Sequence, residues 1–385
     1  MSTVYFHLGM PKTGTTAIQY FLNTNNEVLK KRGIEAPDFG IRYADIGPMR
    51  NGRFLIGASV YRGADEKVKK QEKENYRIGL ERIKELSSVR ESIIFSDEGL
   101  WNGGSKRPEF WKNLKRDMTE LGVDFKVIVY LRRQDEFLQS HWAQVVKRKG
   151  KRYSFREYCE SMVREEYPLN YFAYLEHIAE WVGRENIIVR VYEKESFGGA
   201  QKTLISDFLD IFGLTLTEEF ESGGKIYNTS LAGDGVELRR LMNAIPQTWG
   251  DKHPLTYALK EVQDIPAFRE AWRDKTFFAS QEDRENFQSQ FDESNAAVAK
   301  TYLHRPDGRL FRSEIPHQET YEADALRMAQ ELSVLLARTV ASQQEELEKM
   351  RRDTKRQIDD LKKELKNEML SQRVKKKVKH FLGKK

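Results

Sequence analysis

The sequence predicts an α/β fold: a P-loop-like parallel sheet flanked by helices, with a helical C-terminal extension that ends in a long helix or coiled coil. Three observations lead there. Short apolar runs with the length of buried strands recur at residues 3–8, 92–96, 125–131 and 186–192. Segments of helical periodicity lie between them, the pattern of strands joined by crossover helices. The first strand leads directly into a loop of Gly, Pro, Lys and Thr and then into a helix.

In order along the chain, Ile18, Phe21, Leu22 and Leu29 give a helix from about Thr15 to Lys31 its apolar face, and Gly33 ends it. Residues 35–65, rich in Gly, Arg and Tyr, read as a long loop region. A charged helix is expected over 72–86, a strand over 92–96, and a helix over 108–121 with Pro108 in its first turn. After the strand 125–131, helices are expected at 134–149, 154–165 and 169–182, then a strand at 186–192 and a helix at 201–212. Residues 230–298 read as helical and loop-rich. A last helix starts near Thr320 and runs past Glu368, with Leu347, Met350, Ile358, Leu361, Leu365 and Met369 at steps of three and four or their sums. The expected division is a domain over 1–315, with its α/β core at about 1–215 and a helical, looped part at about 216–315, followed by the long helix and basic tail at 316–385.

Charge is distributed unevenly. Residues 342–385 hold 15 Lys and Arg against 8 Asp and Glu, a net of +7, so of the total of +6 the rest carries −1. The basic balance therefore belongs to the tail and gives the body no case for nucleic-acid binding. A single cysteine, Cys159, rules out a disulfide within one chain and fits a reducing compartment. No basic-then-apolar leader precedes the first strand, and no apolar run reaches membrane-spanning length. The expectation is a cytoplasmic protein, with peripheral contact at the inner membrane surface through the tail as an option. There, Val374, Val378, Phe381 and Leu382 recur among Arg373, Lys375, Lys376, Lys377, Lys379, Lys384 and Lys385.

The loop Gly9-Met10-Pro11-Lys12-Thr13-Gly14-Thr15-Thr16 has the parts of an anion cradle. Its glycines permit tight turns that aim several amides into one concavity. The helix that follows offers unpaired amides and the positive end of its dipole. Lys12 adds an ammonium, and Thr15 and Thr16 add hydroxyls. Gly9 and Gly14 have the spacing of a nucleotide-triphosphate loop, but Thr15 stands where that motif places its lysine.

Pro11-Lys12-Thr13-Gly14-Thr15-Thr16 resembles the 5′-phosphosulfate loop of the sulfotransferases that use 3′-phosphoadenosine-5′-phosphosulfate (PAPS). The flanking His7-Leu8-Gly9-Met10 and Gln19 resemble bacterial members of that superfamily, carbohydrate-modifying ones in particular. A second motif agrees with this. The strand 125–131 ends in Arg132-Arg133-Gln134-Asp135, and Ser140 follows eight residues after Arg132, similar to the family's 3′-phosphate site. Arginine suits that task because its planar fork meets phosphate oxygens two at a time. The plain alternative is that Arg132 and Arg133 form surface ion pairs.

Tyr192 in Val191-Tyr192-Glu193 resembles the family's adenine-side tyrosine, with a packed strand-end aromatic as the plain alternative; family members also use a late basic loop over the 3′-phosphate, for which Arg305 and Arg309 are the candidates. The resemblance implies PAPS as donor, PAP as product, no metal, and Lys12 stabilising the bridging oxygen as PAP leaves. It also implies a general base, for which Glu98 is the first candidate and Asp97 the second. The plain reading of Asp97 is a cap for the next turn, and that of His7 and His141 is packing. In the loop 35–65, Arg42, Tyr43, Arg50, Asn51, Arg53 and Tyr61 suit an acidic sugar or form an ordinary surface excursion. A glycan or glycolipid acceptor follows mainly from the resemblance. The long helix is a site for homodimer formation or a spacer. Two other readings are an atypical P-loop nucleotide kinase and a non-catalytic coiled-coil scaffold.

Overall fold

A computed structural model describes residues 2–382 except 44–46, 58–64, 108, 165–166, 222–230, 232, 246–253, 264 and 273–274. It holds two compact units. One comprises Met1–Leu231 with Asp274–Glu322, and the other Ala232–Arg273 with Ala323–Lys385. The chain is thus divided differently from a single cut near residue 315. A segment of the expected first domain groups with the long helix, and residues 274–322 return to the sheet.

The first unit is built on five parallel strands: β1 (Thr3–Leu8), β2 (Ile34–Glu35), β3 (Ser92–Asp97), β4 (Asp124–Leu131) and β5 (Ile187–Val191), in the order β2-β3-β1-β4-β5. The central strand is covered on both faces, which is why it reads as a nearly continuous apolar run. Val4, Phe6 and Leu8 are fully buried, and Phe6 packs against Phe95 and Phe125. His7 lies on the other face, against Tyr130 and Phe208. There Ile18, Phe21 and Leu22 of the helix Thr15–Thr24 join Phe208 and Leu209 of the helix Leu204–Asp210 in one core.

The connection from β1 goes outward to one edge and returns through β3. The chain then crosses to β4 on the opposite side of β1. Parallel sheets open a crevice at the carboxyl end of the strand where the order reverses, and here that strand is β1. Leu8 is level with Asp97 of β3 and Val129 of β4, so the loop after β1 leaves the sheet between the ends of its two neighbours.

Several boundaries shift for local reasons. The helix expected over 15–31 breaks at Asn25, whose side chain bonds the Phe21 and Glu221 carbonyls and accepts from the Glu221 amide. A second piece then covers Asn26–Lys30. The charged helix begins early, at Glu66, because the Asp65 carboxylate accepts from the Val68 amide. Thr203 and Ser206 cap each other, which trims the helix expected over 201–212 to Leu204–Asp210. The helix Glu98–Lys106 was not expected, since Gly99, Gly103 and Gly104 weaken its propensity; Asp97 starts it by capping the Gly99 amide. Pro108 lies outside the described residues.

Residues 274–322 are held to the sheet by buried polar groups at the end of β4. Asp135 receives Arg284 at 2.6 Å, Gln134 exchanges bonds with Asn295 and accepts from Gln288, and Gln288 in turn accepts from the Asp135 amide.

In the second unit, the helices Gly233–Met242, Pro254–Gln263 and Pro266–Trp272 accompany the 58-residue helix Ala325–Leu382. The long helix starts at Ala325, later than expected, where Asp324 accepts from the Arg327 amide at 2.6 Å. Arg327 forks onto the buried Asp234. Burial, and then the charge of Asp234, push the carboxyl of Glu331 up to about 8. Among the described residues, no helix is long and apolar enough to cross a membrane.

Candidate functional site

The loop after β1 closes on itself through its own side chains. The Thr13 hydroxyl donates to the Met10 carbonyl at 2.7 Å and the Thr15 hydroxyl to the same oxygen at 3.3 Å. Those two hydroxyls shape the loop; Thr16 is half-buried one residue further on. Pro11 is buried. Gly9 has no room for a side chain: a Cβ would sit 2.5 Å from the Thr15 methyl and 3.0 Å from the Glu98 amide nitrogen.

Two loop residues have left-handed backbones, Lys12 at φ 68° and Gly14 at φ 75°. Gly14 takes this conformation at no steric cost, whereas for lysine it costs energy that the surrounding bonds must offset. Gly14 is the N-cap of the helix Thr15–Thr24, and no side chain caps its first amides. That leaves donors and the positive end of the dipole directed at the loop.

The Lys12 ammonium lies in a basic, half-buried setting. Its pKa is lowered to about 8, first by burial, then by the positive charges of Arg132 and Arg148, against a smaller opposing effect of Glu98. Burial and like charges nearby disfavour the charged ammonium, and an anion beside it would favour that form.

Arg132, just beyond the end of β4, meets the loop directly. Its Nη1 donates to the Lys12 carbonyl at 3.0 Å and its Nε to Glu136 at 3.2 Å. The guanidinium carbon stands 5.5 Å from the centre of the Tyr192 ring. The Tyr171 hydroxyl fixes the Arg132 carbonyl at 2.6 Å. Tyr192 also lies beside Gly14, where a Cβ would come within 3.1 Å of its ring. The structure thus brings the loop, Arg132 and Tyr192 together. Ser140 is half-buried on the helix Gln134–Lys149, one turn after Glu136. Arg133 has a different fate. Its buried guanidinium holds Asp135, Glu136 and the carbonyls of Ser313 and Glu314.

On the other side of β1, Asp97 and Glu98 also part. Asp97 is fully buried, forked by Arg50 at 3.0 and 2.7 Å, and lies 3.4 Å from Arg53. A carboxylate so occupied is an anchor, and it caps the next helix as its plain reading requires. Glu98 keeps 27% of its side chain exposed, lies 3.7 Å from Arg50 and acts on the charge of Lys12. Of the two candidate bases, Glu98 is therefore the one presented to the crevice.

Arg50 arrives through a neighbour. β2 spans only two residues, so the outer edge of β3 lacks a strand further along, and the Asn51 side chain takes its place. It donates to the Ile94 carbonyl at 2.9 Å and accepts from the Ser96 amide at 2.8 Å. Arg42 in the same region pairs with Asp38. The arginines of residues 35–57 are thus engaged within the chain, and Tyr61 lies outside the described residues.

His7 is fully buried, with Nδ1 2.8 Å from the Ser96 hydroxyl and a pKa pushed down to about 3 by burial. It is neutral at any physiological pH. His141 packs against Phe137 and bonds the Tyr158 hydroxyl.

The late basic loop is placed by a residue that sequence reasoning assigned no role. The Glu193 carboxylate accepts from the Arg312 amide at 2.8 Å and from the amide and hydroxyl of Ser313 at 3.2 and 2.6 Å. It clasps residues 312–313 beside Tyr192. Arg305 donates inward to the carbonyls of Arg309 at 3.1 Å and Leu310 at 2.7 Å, so it braces the loop, while Arg309 is exposed. Arg148 is the other residue that was missed. It falls eight residues after Ser140, two turns along the same helix face, a spacing that marks it in retrospect.

No family model matches the chain. Over 182 residues it is 30% identical to an uncharacterized protein of Archaeoglobus fulgidus, a stretch covering 46% of this chain and 46% of that one. The chain therefore spans about half the length of this relative.

Proposed function

We propose that the chain is a PAPS-dependent sulfotransferase, moving a sulfuryl group from PAPS to a hydroxyl or amine of an acceptor, with a glycan or glycolipid as the favoured class. The observation that supports this most is the meeting of Lys12 and Arg132 at the open end of β1. The loop offers uncapped helix amides and an ammonium to one anion. The Arg132 guanidinium, bonded to the backbone of that same loop, lies on the β4 side, with Ser140 and Arg148 on the helix that follows. A ligand with separate 5′- and 3′-anionic groups on one nucleoside fits such a divided cradle, and Tyr192 beside Gly14 provides an aromatic wall.

In the reaction, the acceptor oxygen or nitrogen bonds to sulfur as the bond from sulfur to the bridging oxygen of PAPS breaks. PAP leaves with that electron pair, and the acceptor's proton passes to a base. Lys12 stabilises the charge growing on the bridging oxygen, and Glu98 takes the proton. Positioning and electrostatics supply most of the rate, as in phosphoryl transfer.

Calorimetry with PAP in the presence of a chelator tests the binding half. Binding without Mg²⁺ is expected, and no heat at any concentration sinks the reading. Turnover of labelled PAPS with an acceptor panel tests the rest. Lys12→Ala should lower transfer by about 10²–10³-fold, the scale of losing one preorganised charge partner. Unchanged turnover in that variant would remove Lys12 from the chemistry.

A further inference from the structure

The exposed apolar face of the long helix is independent of the chemistry proposed above. Met350, Leu361 and Leu365 are 59%, 63% and 61% exposed, and Leu347, Ile358 and Met369 are exposed beside them in one continuous helix. With Thr354 they recur at steps of three and four, the seam of a helix that packs on another helix. What occupies it is indicated by charge. Glu345, Glu346 and Glu348 make one end of the stretch acidic, and Arg373, Lys375 and Lys377 make the other end basic.

We propose that this face pairs with the same face of a second copy of the chain, in antiparallel orientation, about a two-fold axis between Asp359 and Asp360. In that register Ile358 meets the partner's Leu361, Thr354 the partner's Leu365, and Met350 the partner's Met369. Every apolar side chain from Met350 to Met369 on this face then has an apolar or threonine partner. The flanking charges also match: Glu346 faces the partner's Arg373, Arg351 the partner's Glu368, and Asp353 the partner's Lys366. Asp359 and Asp360 fall on the outer side of the helix, away from the seam, where their like charges are solvated. Parallel pairing would instead set the basic end on the basic end and the acidic end on the acidic end.

Sedimentation of the full chain should show a dimer. Glu346→Lys with Glu348→Lys should raise its dissociation constant at least about 10-fold, and adding Arg373→Glu with Lys375→Glu in the same chain should restore it. Orientation is read by oxidative cross-linking. Two copies of residue 347 lie roughly 40 Å apart in the antiparallel pair, at 1.5 Å of rise per residue. Leu347→Cys alone should therefore give no cross-linked dimer, whereas a mixture with Gln372→Cys chains should. The native Cys159 competes poorly, because burial pushes its thiol up to about 12. A chain that stays monomeric at every soluble concentration, with or without binding to anionic vesicles, overturns the proposal. So does a Leu347→Cys variant that cross-links to itself, since only parallel pairing brings those positions together.

Discussion

β3 and β4 flank the central strand on opposite sides, and at or just beyond the end of each stand two adjacent residues of like charge. Asp97 and Glu98 stand at the end of β3, Arg132 and Arg133 just beyond β4. In both pairs one member is sealed and the other is half open. Asp97 is engaged by Arg50 and Arg53, and Arg133 by Asp135, Glu136 and the backbone of residues 313–314. Glu98 and Arg132 keep 27% and 22% of their side chains exposed, and both act on Lys12. The sealed residues fix the strand ends; the open ones border the loop that carries Lys12. What differs is the sign of charge, basic beside β4 and acidic beside β3. Under the proposed function the donor nucleotide lies along the first and the acceptor approaches along the second.

The acidic pair offers the largest effects with which to break this contrast. Glu98→Gln should lower turnover by about 10²–10⁴-fold, the usual worth of a positioned base, while leaving the melting temperature in place. Asp97→Asn should act the other way round. It leaves the Arg50 and Arg53 guanidinium groups without their buried counter-charge, and breaking such a pair costs about 3–5 kcal/mol of stability. Thermal unfolding and steady-state rates on both variants decide the matter. If Asp97→Asn abolishes turnover in a fully stable protein and Glu98→Gln does nothing, the roles of anchor and base are exchanged.

The fold class was legible in the sequence because a buried parallel strand announces itself by composition alone. The loop Gly9–Thr16 was legible because a tight turn before a helix restricts residue choice, and Arg132 because it directly follows a strong strand. Other features were hidden by distance. Asn51 satisfies the edge of β3 from more than forty residues away, and only the folded chain shows that this brings Arg50 onto Asp97. Glu193 became a clasp through a loop 120 residues later. The helix after Asp97 was masked by its glycines, so Asp97 read both as a candidate base and as a cap, and only the fold shows that the cap is buried. Nothing in the spacing of residues 232–273 marks them as companions of the C-terminal helix.

The basic pair should show a smaller version of the same division. Under the proposed function Arg132→Ala removes charge-assisted bonds to the donor worth about 1.5–3 kcal/mol, which corresponds to roughly 10–100-fold weaker PAP binding by calorimetry. Little change in the melting temperature is expected, since Arg132 is partly exposed and its bond to the Lys12 carbonyl is one of several that hold the loop. Arg133→Ala should instead lower stability, because Asp135 and Glu136 lose a buried partner and residues 313–314 lose their tether. Equal loss of PAP affinity in both variants would mean that the two arginines act as one patch, and the contrast between sealed and open residues would fail on this side of the sheet.

The smallest expected effect concerns pH, and it turns on the sign of one shift. Burial and the neighbouring guanidinium groups lower the Lys12 pKa to about 8 in the free protein. A bound anion favours the charged ammonium, so binding raises that pKa again. Below about pH 8 the free protein already carries the charge, and PAP affinity should be flat. Above it, binding must take up a proton, and affinity should fall by at most about tenfold per pH unit until the pKa of the bound state is reached. The same lowered pKa stabilises the folded protein as pH rises from about 8 towards the ordinary lysine value, so weaker binding in that range is not a sign of unfolding. Lys12→Arg separates this titration from every other, since a guanidinium keeps its proton throughout the range. Calorimetry with PAP between pH 7 and pH 10 should therefore show a slope in the parent protein and none in Lys12→Arg. A slope that persists in the variant would assign the titrating group to another residue and leave Lys12 without its part in drawing the donor to the basic side.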